Sequence, residues 1–208
     1  MKVELIYITP NAEKVIEKAG RTSYQSFNRI GEGSEKKFIR MIINLGHLSV
    51  IEHAVASFRI SDVSRSLTHQ LVRHRLASFT QKSQRYVDER NFTFVEPPKV
   101  EENPEAHEIY VNFMKTVRET YKKLREFKIP KEDARFVLPN ATTTEIVITA
   151  NLREWRHIVE LRGSEHAQRE IRRMTIEILR ILKREAPTVF EDFVIVGDHV
   201  ERRKNVKE

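Results

Sequence analysis

Residues 73–86 read Arg73-His74-Arg75-Leu76-Ala77-Ser78-Phe79-Thr80-Gln81-Lys82-Ser83-Gln84-Arg85-Tyr86. Three arginines, a lysine, a histidine, two serines and two side-chain amides fall within this stretch. Just upstream, Leu67, Leu71 and Val72 supply apolar anchors, so the segment reads as a fixed helix end feeding a polar loop. Two readings of it are open. Charge-rich turns are commonly just solvated surface. The same residues would also hold an anion, since arginine forks take phosphate oxygens in two-point fashion and serine hydroxyls with loop N–H groups complete a cradle.

Composition narrows what such a loop serves. The chain has 208 residues, enough for one domain with a sizeable core. Lys plus Arg total 37 and Asp plus Glu total 30, a net charge of +7, with 39% hydrophobic residues. That is too apolar and too balanced in sign for a disordered chain. No apolar run reaches bilayer length, and the start MKVELIYITP has no signal-peptide core. The expectation is a soluble, cytoplasmic protein with no membrane partner.

Cysteine is absent, which excludes disulfides, thiolate metal sites, iron–sulfur clusters and a cysteine nucleophile. The glycines, at 20, 31, 33, 46, 163 and 197, form neither a dinucleotide fingerprint nor a phosphate loop. Any nucleotide must therefore be held by side chains.

Hydrophobic spacing predicts a strand over 2–8 and a helix from Asn11 to Ala19, then a loop over 20–33. Ser34 is read as the N-cap of a helix carrying Phe38, Ile39, Ile42 and Ile43, with Gly46 at its C′ position. Residues 54–60 alternate like a strand, and Ser61 or Asp62 would cap the helix running toward Arg73. Residues 76–90 show no clean period. Asn91 to Val95 reads as a short strand stopped by Pro97-Pro98. A long amphipathic helix spans about Pro104 to Phe127, with Ile109, Phe113, Val117, Tyr121 and Leu124 on one stripe.

Pro130 opens a shorter helix ending near Pro139, and Thr142 to Ala150 is a β-branched strand. Asn151 caps a helix to Leu161, Gly163 breaks it, and Ser164 with Glu165 starts a last helix to about Glu185. The tail, about 198–208, is highly charged and reads as frayed. The expected fold is α/β (α+β): a single domain over 1–208 with a central mixed sheet flanked by long helices.

Two further clusters bear on chemistry. Gly46-His47-Leu48-Ser49-Val50-Ile51-Glu52-His53 offers two histidines for metal binding or proton transfer, without a second ligand pair. Glu154 and His157 have the Glu-x-x-His spacing of carboxylate-bridged metal sites, but it occurs once where a bundle needs two. Hydrogen bonding or capping is the better use of these histidines, and no metal is expected. Arg153, Arg156 and Arg162 recur along the helix that holds Trp155, Ile158 and Val159, residues that read as core. Arg162, beside Gly163, either caps helix carbonyls or meets a ligand. Arg135, before Phe136-Val137-Leu138-Pro139, needs a partner if buried.

Taken together, these residues resemble a known family. Arg73-His74-Arg75, seven residues, then Ser83 with Gln84-Arg85-Tyr86 is similar to the R-H-R-x7-S signature of flavin-dependent thymidylate synthases. Gly46-His47 with Glu52-His53, Arg135 with Leu138-Pro139, Asn151-Leu152-Arg153, and Leu161 to Gln168 resemble further segments of that family. The resemblance spans roughly residues 20–190. It implies reductive methylation of dUMP to dTMP. The one-carbon donor would be 5,10-methylenetetrahydrofolate, the hydride carrier FAD and the reductant NADPH, with tetrahydrofolate released. It also implies a homotetramer of α/β subunits with active sites shared between chains. The alternative synthase class needs a cysteine nucleophile, which this chain lacks.

Carried over by position, the resemblance implies that Arg73, His74 and Arg75 contact FAD, with Arg73 also near dUMP. Gln70, Leu71 and Val72 border the nucleotide. Gln81, Lys82, Ser83, Gln84 and Arg85 form the loop that holds the dUMP phosphate and sugar, Gln81 serving the flavin too. Arg135 is a dUMP contact. Ser49, Asn151, Leu152, Arg153 and His157 stand at flavin positions. Arg162 meets the uracil ring, where a fixed guanidinium near N3 stabilises an anionic pyrimidine and makes C5 more nucleophilic. Ser83 has no sequence-adjacent base and reads as a phosphate ligand rather than a nucleophile.

The rival reading is a basic nucleic-acid-binding protein, which the +7 charge would suit. Yet Lys and Glu alternate through the helices, and no RNA-recognition or zinc-finger spacing appears. No nucleic-acid partner is expected. A third reading, an inactive scaffold of the same fold, is disfavoured because Arg73, Ser83, Arg85 and Arg162 are all present.

Overall fold

The computed structural model describes residues 1–203. Six strands and eight helices order it as β1 (Lys2–Ile8), α1 (Ala12–Arg21), α2 (Ser34–Asn44), β2 (Val55–Ser64), α3 (Arg65–Leu71), β3 (Ala77–Gln81), α4 (Pro98–Glu101), α5 (Pro104–Glu126), α6 (Lys131–Ala134), β4 (Thr143–Asn151), α7 (Leu152–Arg162), α8 (Arg169–Glu185), β5 (Phe193–Val196) and β6 (His199–Arg202). The fold is mixed α/β, as the sequence pattern predicts. One sheet has the strand order β1-β2-β4-β3, and β5 pairs with β6 in an antiparallel hairpin.

Two compact units emerge. The first holds Met1–Lys2, Ile60–Gln70 and Thr80–Ile146, and the second holds Val3–Arg59, Leu71–Phe79 and the chain from Val147 onward. In the first, Phe92, Met114 and Val117 form a core with Phe94, Tyr110, Leu138 and Ala141 against them. The α5 stripe is only partly used there: Val117 and Tyr121 are buried, whereas Ile109 is 72% and Phe113 55% exposed. In the second unit α1 packs on α2 and α7 on α8. Its centre is Trp155, whose ring meets Phe58 edge-on at 5.0 Å and whose Nε1–H donates to Ala56 O at 3.0 Å. The expectation that Trp155 is core therefore holds.

Several boundaries differ from the sequence reading, each for a local reason. β2 runs past Ser61 and Asp62. Asp62 takes φ 56, and burial passes to Val63 and Ser64, so the cap of α3 is Ser64, whose Oγ accepts from Leu67 N–H at 3.0 Å. Ser34 lies inside α2 behind Gly33. Its hydroxyl donates to Glu17 at 2.7 Å and accepts from Gly31 N–H. Residues 77–81 form β3, a neighbour of β4 in the sheet, although no clean period is read over 76–90; Ala77, Phe79 and Gln81 are its half-buried positions, and Gln81 is satisfied by hydroxyls. Asn91–Val95 contributes only an isolated bridge, Phe94 to Thr142. α8 begins at Arg169, where Gln168 Oε1 accepts the N–H groups of Glu170 and Ile171, and not at Ser164.

The charged tail begins as structure: Phe193 pairs with Arg202 and Val196 with His199. Gly197, at φ 58, makes the tight turn between them. Residues 204–208 of that tail lie outside the described residues. Gly163 matters for a different reason. A Cβ there would come within 2.5 Å of Val159 O and 2.8 Å of Val200, so only glycine lets β6 close on the end of α7. Val200 N–H donates to Gly163 O at 2.7 Å. Asn151, by contrast, caps α7 as its sequence predicts, accepting from Glu154 N–H at 2.8 Å.

Candidate active site

In the second unit, the turn after α3 carries Arg73, His74 and Arg75, and α7 carries Glu154, His157 and Arg162. Helical spacing puts residues 154, 158 and 162 on one face. Leu71 is fully buried and anchors the turn, with His74 N–H bonded to Leu71 O at 3.2 Å. His74 itself is only 4% exposed and Glu154 6%. His74 Nδ1 lies 3.1 Å from Glu154 Oε1, and Arg162 Nε donates to His74 Nε2 at 3.0 Å. The His157 ring meets that of His74 edge-on at 5.4 Å.

This geometry assigns the proton. A guanidinium nitrogen only donates, so His74 Nε2 carries the lone pair. The ring proton is then on Nδ1, where it meets an acceptor-only carboxylate. Burial pushes His74 below its ordinary value, and the charges of Arg162 and His157 act the same way, against the hydrogen bond and charge of Glu154. Burial also lowers Arg162, which stays charged because arginine starts so high.

His74, Glu154 and His157 bring three ligand-type atoms within 4.8 Å of one another. The cluster does not suit a cation. Both nitrogens of His74 are engaged, and a metal at Nε2 would have to displace the positively charged Arg162. His47 and His53 belong to no such cluster among the described residues.

The other flavin-position residues lie in the same unit. Arg73 and Arg75 are exposed, and neither guanidinium makes a hydrogen bond or ion pair among the described residues. Val72 is 40% exposed. Ser49 is exposed in the short 3₁₀ helix Leu48–His53. Arg153 pairs with Glu52 at 2.6 Å, both half exposed. Leu152 is fully buried, its N–H on Ala54 O at 2.8 Å. Arg156 turns the other way: it grips Asp192 through two bonds of 2.7 and 2.6 Å, caps Val189 O, and lies over the Phe193 ring. Burial would raise the Asp192 carboxyl, but Arg156 and Arg202 together hold it below its ordinary value.

In the first unit, Gln81 Nε2 donates to Thr68 Oγ1 at 2.9 Å and Thr144 Oγ1 at 3.2 Å. Lys82 pairs with buried Glu89 at 2.9 Å, and its N–H bonds Glu145 O. Ser83 Oγ accepts from Arg85 N–H at 3.3 Å. Gln84 is 6% exposed, yet its Nε2 has no partner among the described residues. Arg85 meets Glu132 at 3.3 Å in an exposed pair, and Arg135 Nε donates to Glu132 O at 3.1 Å. Gln70 is half-buried.

Sequence reasoning did not find the partners Glu52, Glu132, Thr68 and Thr144. It met Glu154 only as a metal candidate. His74 and Glu154 are 80 positions apart, and no local pattern joins them. Arg65 was also missed. It is half-buried, its Nη1 lacks a partner among the described residues, and burial and then the Arg135 charge lower its pKa.

An α/β protein with exposed arginines that no described residue pairs, a half-buried arginine held by a histidine and no glycine phosphate loop has the donors of a class that grips anionic ligands by side chains. The comparisons with known proteins give that class a family. Residues 4–188 match the family described as thymidylate synthase complementing protein. The chain is 44% identical over 199 residues to the flavin-dependent thymidylate synthase of Mycolicibacterium vanbaalenii, covering 88% of this chain and 80% of that one. It is 44% identical over 200 residues to that of Mycobacterium marinum, covering 88% and 80%. For the synthase of Mycobacterium avium the identity is 44% over 198 residues, covering 87% and 79%. The chain belongs to this family, the flavin-dependent thymidylate synthases.

The donor set of the second unit fits a flavin dinucleotide. Arg73 and Arg75 offer unpaired cations for its phosphates, and Ser49 and His157 stand exposed in the same unit. No helix among the described residues is long and apolar enough to cross a membrane.

Proposed function

We propose that this protein converts dUMP to dTMP, with 5,10-methylenetetrahydrofolate as one-carbon donor and NADPH as reductant, the whole chain serving as one synthase domain in the cytoplasm. Bound FAD would supply hydride transfer. Arg73, His74, Arg75, Ser49, Asn151, Leu152, Arg153 and His157 hold the flavin, with Gln81 shared. Gln70, Leu71, Val72, Arg73, Lys82, Ser83, Gln84, Arg85 and Arg135 hold dUMP. The functional unit is a homotetramer whose sites draw residues from more than one chain.

The observation that carries the reading is Arg162, whose guanidinium is tied through Nε to a buried, neutral His74 at 3.0 Å. A cation so fixed stabilises negative charge developing on a pyrimidine without having to reorganise. Among the described residues only a backbone N–H bonds Ser83 Oγ, which supports phosphate binding over nucleophilic attack. The buried, unpartnered amide of Gln84 costs about 1–3 kcal/mol unless a ligand or a neighbouring chain accepts from it. The relatives named above are all synthases, and none supports the nucleic-acid-binding alternative.

The test is an absorption spectrum of the purified protein followed by a dTMP assay with dUMP, methylenetetrahydrofolate and NADPH. A flavin band that bleaches with NADPH, with dTMP formed, is expected. A protein that takes up no FAD and forms no dTMP overturns the reading.

A further inference from the structure

The contact between His74 and Arg162 exists in only one protonation state of the ring. With the proton on Nδ1, Nε2 accepts from the guanidinium. With the proton on Nε2, two donors face each other, and with both nitrogens protonated two cations do. Something must therefore select the first state, and Glu154 is the group placed to do so.

Its carboxylate is 6% exposed and lies 3.1 Å from Nδ1. It sits in the first turn of α7, held there by its own N–H on Asn151 Oδ1, where a helix N-terminus favours negative charge. An ionised carboxylate only accepts, so it is satisfied by Nδ1–H and by no other form of the neutral ring. We infer that Glu154 is a positioning residue: by keeping the His74 proton on Nδ1 it reserves the Nε2 lone pair for Arg162 Nε–H and so fixes the plane of the guanidinium. This rests on the proposed function, in which that guanidinium meets the pyrimidine. Ordinary structural pairing would stabilise the fold equally but would leave the ring's tautomer without consequence for turnover.

The groups facing His74 are Glu154, His157 and Arg162, all from α7. Of these, only Glu154 favours the protonated ring. Two variants and two readouts decide the matter on the full-length protein. ¹⁵N spectra of histidine-labelled wild type should show His74 protonated on Nδ1 and bare on Nε2. Glu154→Ala should give a mixed tautomer and a fall in kcat of about tenfold or more, the effect of removing a carboxylate that orients a histidine. Glu154→Gln keeps an acceptor oxygen without the charge. It should restore kcat to within a few-fold of wild type and move the acid limb of the kcat–pH profile to lower pH.

A wild-type ring protonated on Nε2 overturns the inference. So does a Glu154→Ala variant whose kcat is unchanged, or whose kcat falls while the tautomer stays put. If Glu154→Ala does not fold, Glu154→Gln decides by its acid limb: unmoved, it overturns the inference. A wild type that makes no dTMP counts against the proposed function instead, and the ¹⁵N spectrum still reads the tautomer.

Discussion

On α7 and the turn after α3, the polar side chains are buried and bonded to one another: Glu154 to His74, His74 to Arg162. On the loop beyond Lys82 they are not. Among the described residues Ser83 Oγ holds only a backbone N–H, Gln84 is buried with an unpartnered amide nitrogen, and Arg85 leans on Glu132 in a pair more than half exposed. The first region carries its own electrostatic partners, so its geometry exists before any ligand arrives. The second has donors whose partners the described chain does not supply. Preorganised charge belongs where a transition state must be met, and open donors belong where a phosphate is captured and released. This difference makes the two regions respond differently to the same kind of mutation.

The largest expected effect breaks the rigid side. Asp192→Ala leaves Arg156 buried without its counter-ion, and removing one partner of a buried pair costs about 3–5 kcal/mol. The thermal midpoint should fall steeply, and flavin retention should fall with it. A midpoint shift as small as a surface mutation gives would show that α7 is not held by this pair. Next comes Arg162→Ala. Losing one preorganised donor at a charged transition state costs about a hundred- to a thousandfold in kcat. The fold should survive, since Arg162 is half-buried at the helix end. Circular dichroism and single-turnover dTMP formation check both halves of that expectation, and unchanged turnover would remove Arg162 from the chemistry.

These two arginines show what the sequence could and could not say. Both lie on a helix whose existence, cap and end were legible from Asn151, the apolar spacing of Trp155, Ile158 and Val159, and Gly163. Local periodicity and capping are short-range signals, and α5, β4 and α7 follow them. The division of labour between Arg156 and Arg162 was not legible, because it depends on Asp192 and His74, which arrive from distant segments. The same limit hid β3, whose inward amide is satisfied by Thr68 and Thr144 rather than by apolar packing. It also misplaced the caps of α3 and α8, where several hydroxyl and amide residues compete and the chain's path chooses among them. The signature loop was legible as a set of residues. Which members are tied and which are open required the fold.

The open side gives a smaller effect of a different kind. Arg85→Ala removes an exposed pair worth about 0–1 kcal/mol, so stability should barely change. A charge-assisted bond to phosphate is worth about 1.5–3 kcal/mol, so KM for dUMP should rise by roughly tenfold or more with kcat nearly kept. A fall in kcat at unchanged KM would place Arg85 with the preorganised region instead.

The smallest expected effect sharpens the comparison by pH. His74 is held below its ordinary value of 6.5, burial being the main cause. Below that value the unfolded chain takes up this proton more readily than the folded one, so unfolding is favoured as pH falls. The neutral ring's contribution is thus complete above 6.5 and is lost as pH drops toward the folded value. Denaturant titrations between pH 5 and 7.5 should show wild type gaining stability with pH relative to His74→Gln, which has no ring to titrate. The gain should stop near the ordinary value, and turnover should follow it, because an imidazolium has no lone pair for Arg162. Parallel pH profiles for the two proteins would mean that the carboxylate of Glu154 offsets burial, whereas a wild type that loses stability with rising pH relative to His74→Gln would mean that Glu154 outweighs burial, so that the ring is charged and unable to accept from the guanidinium.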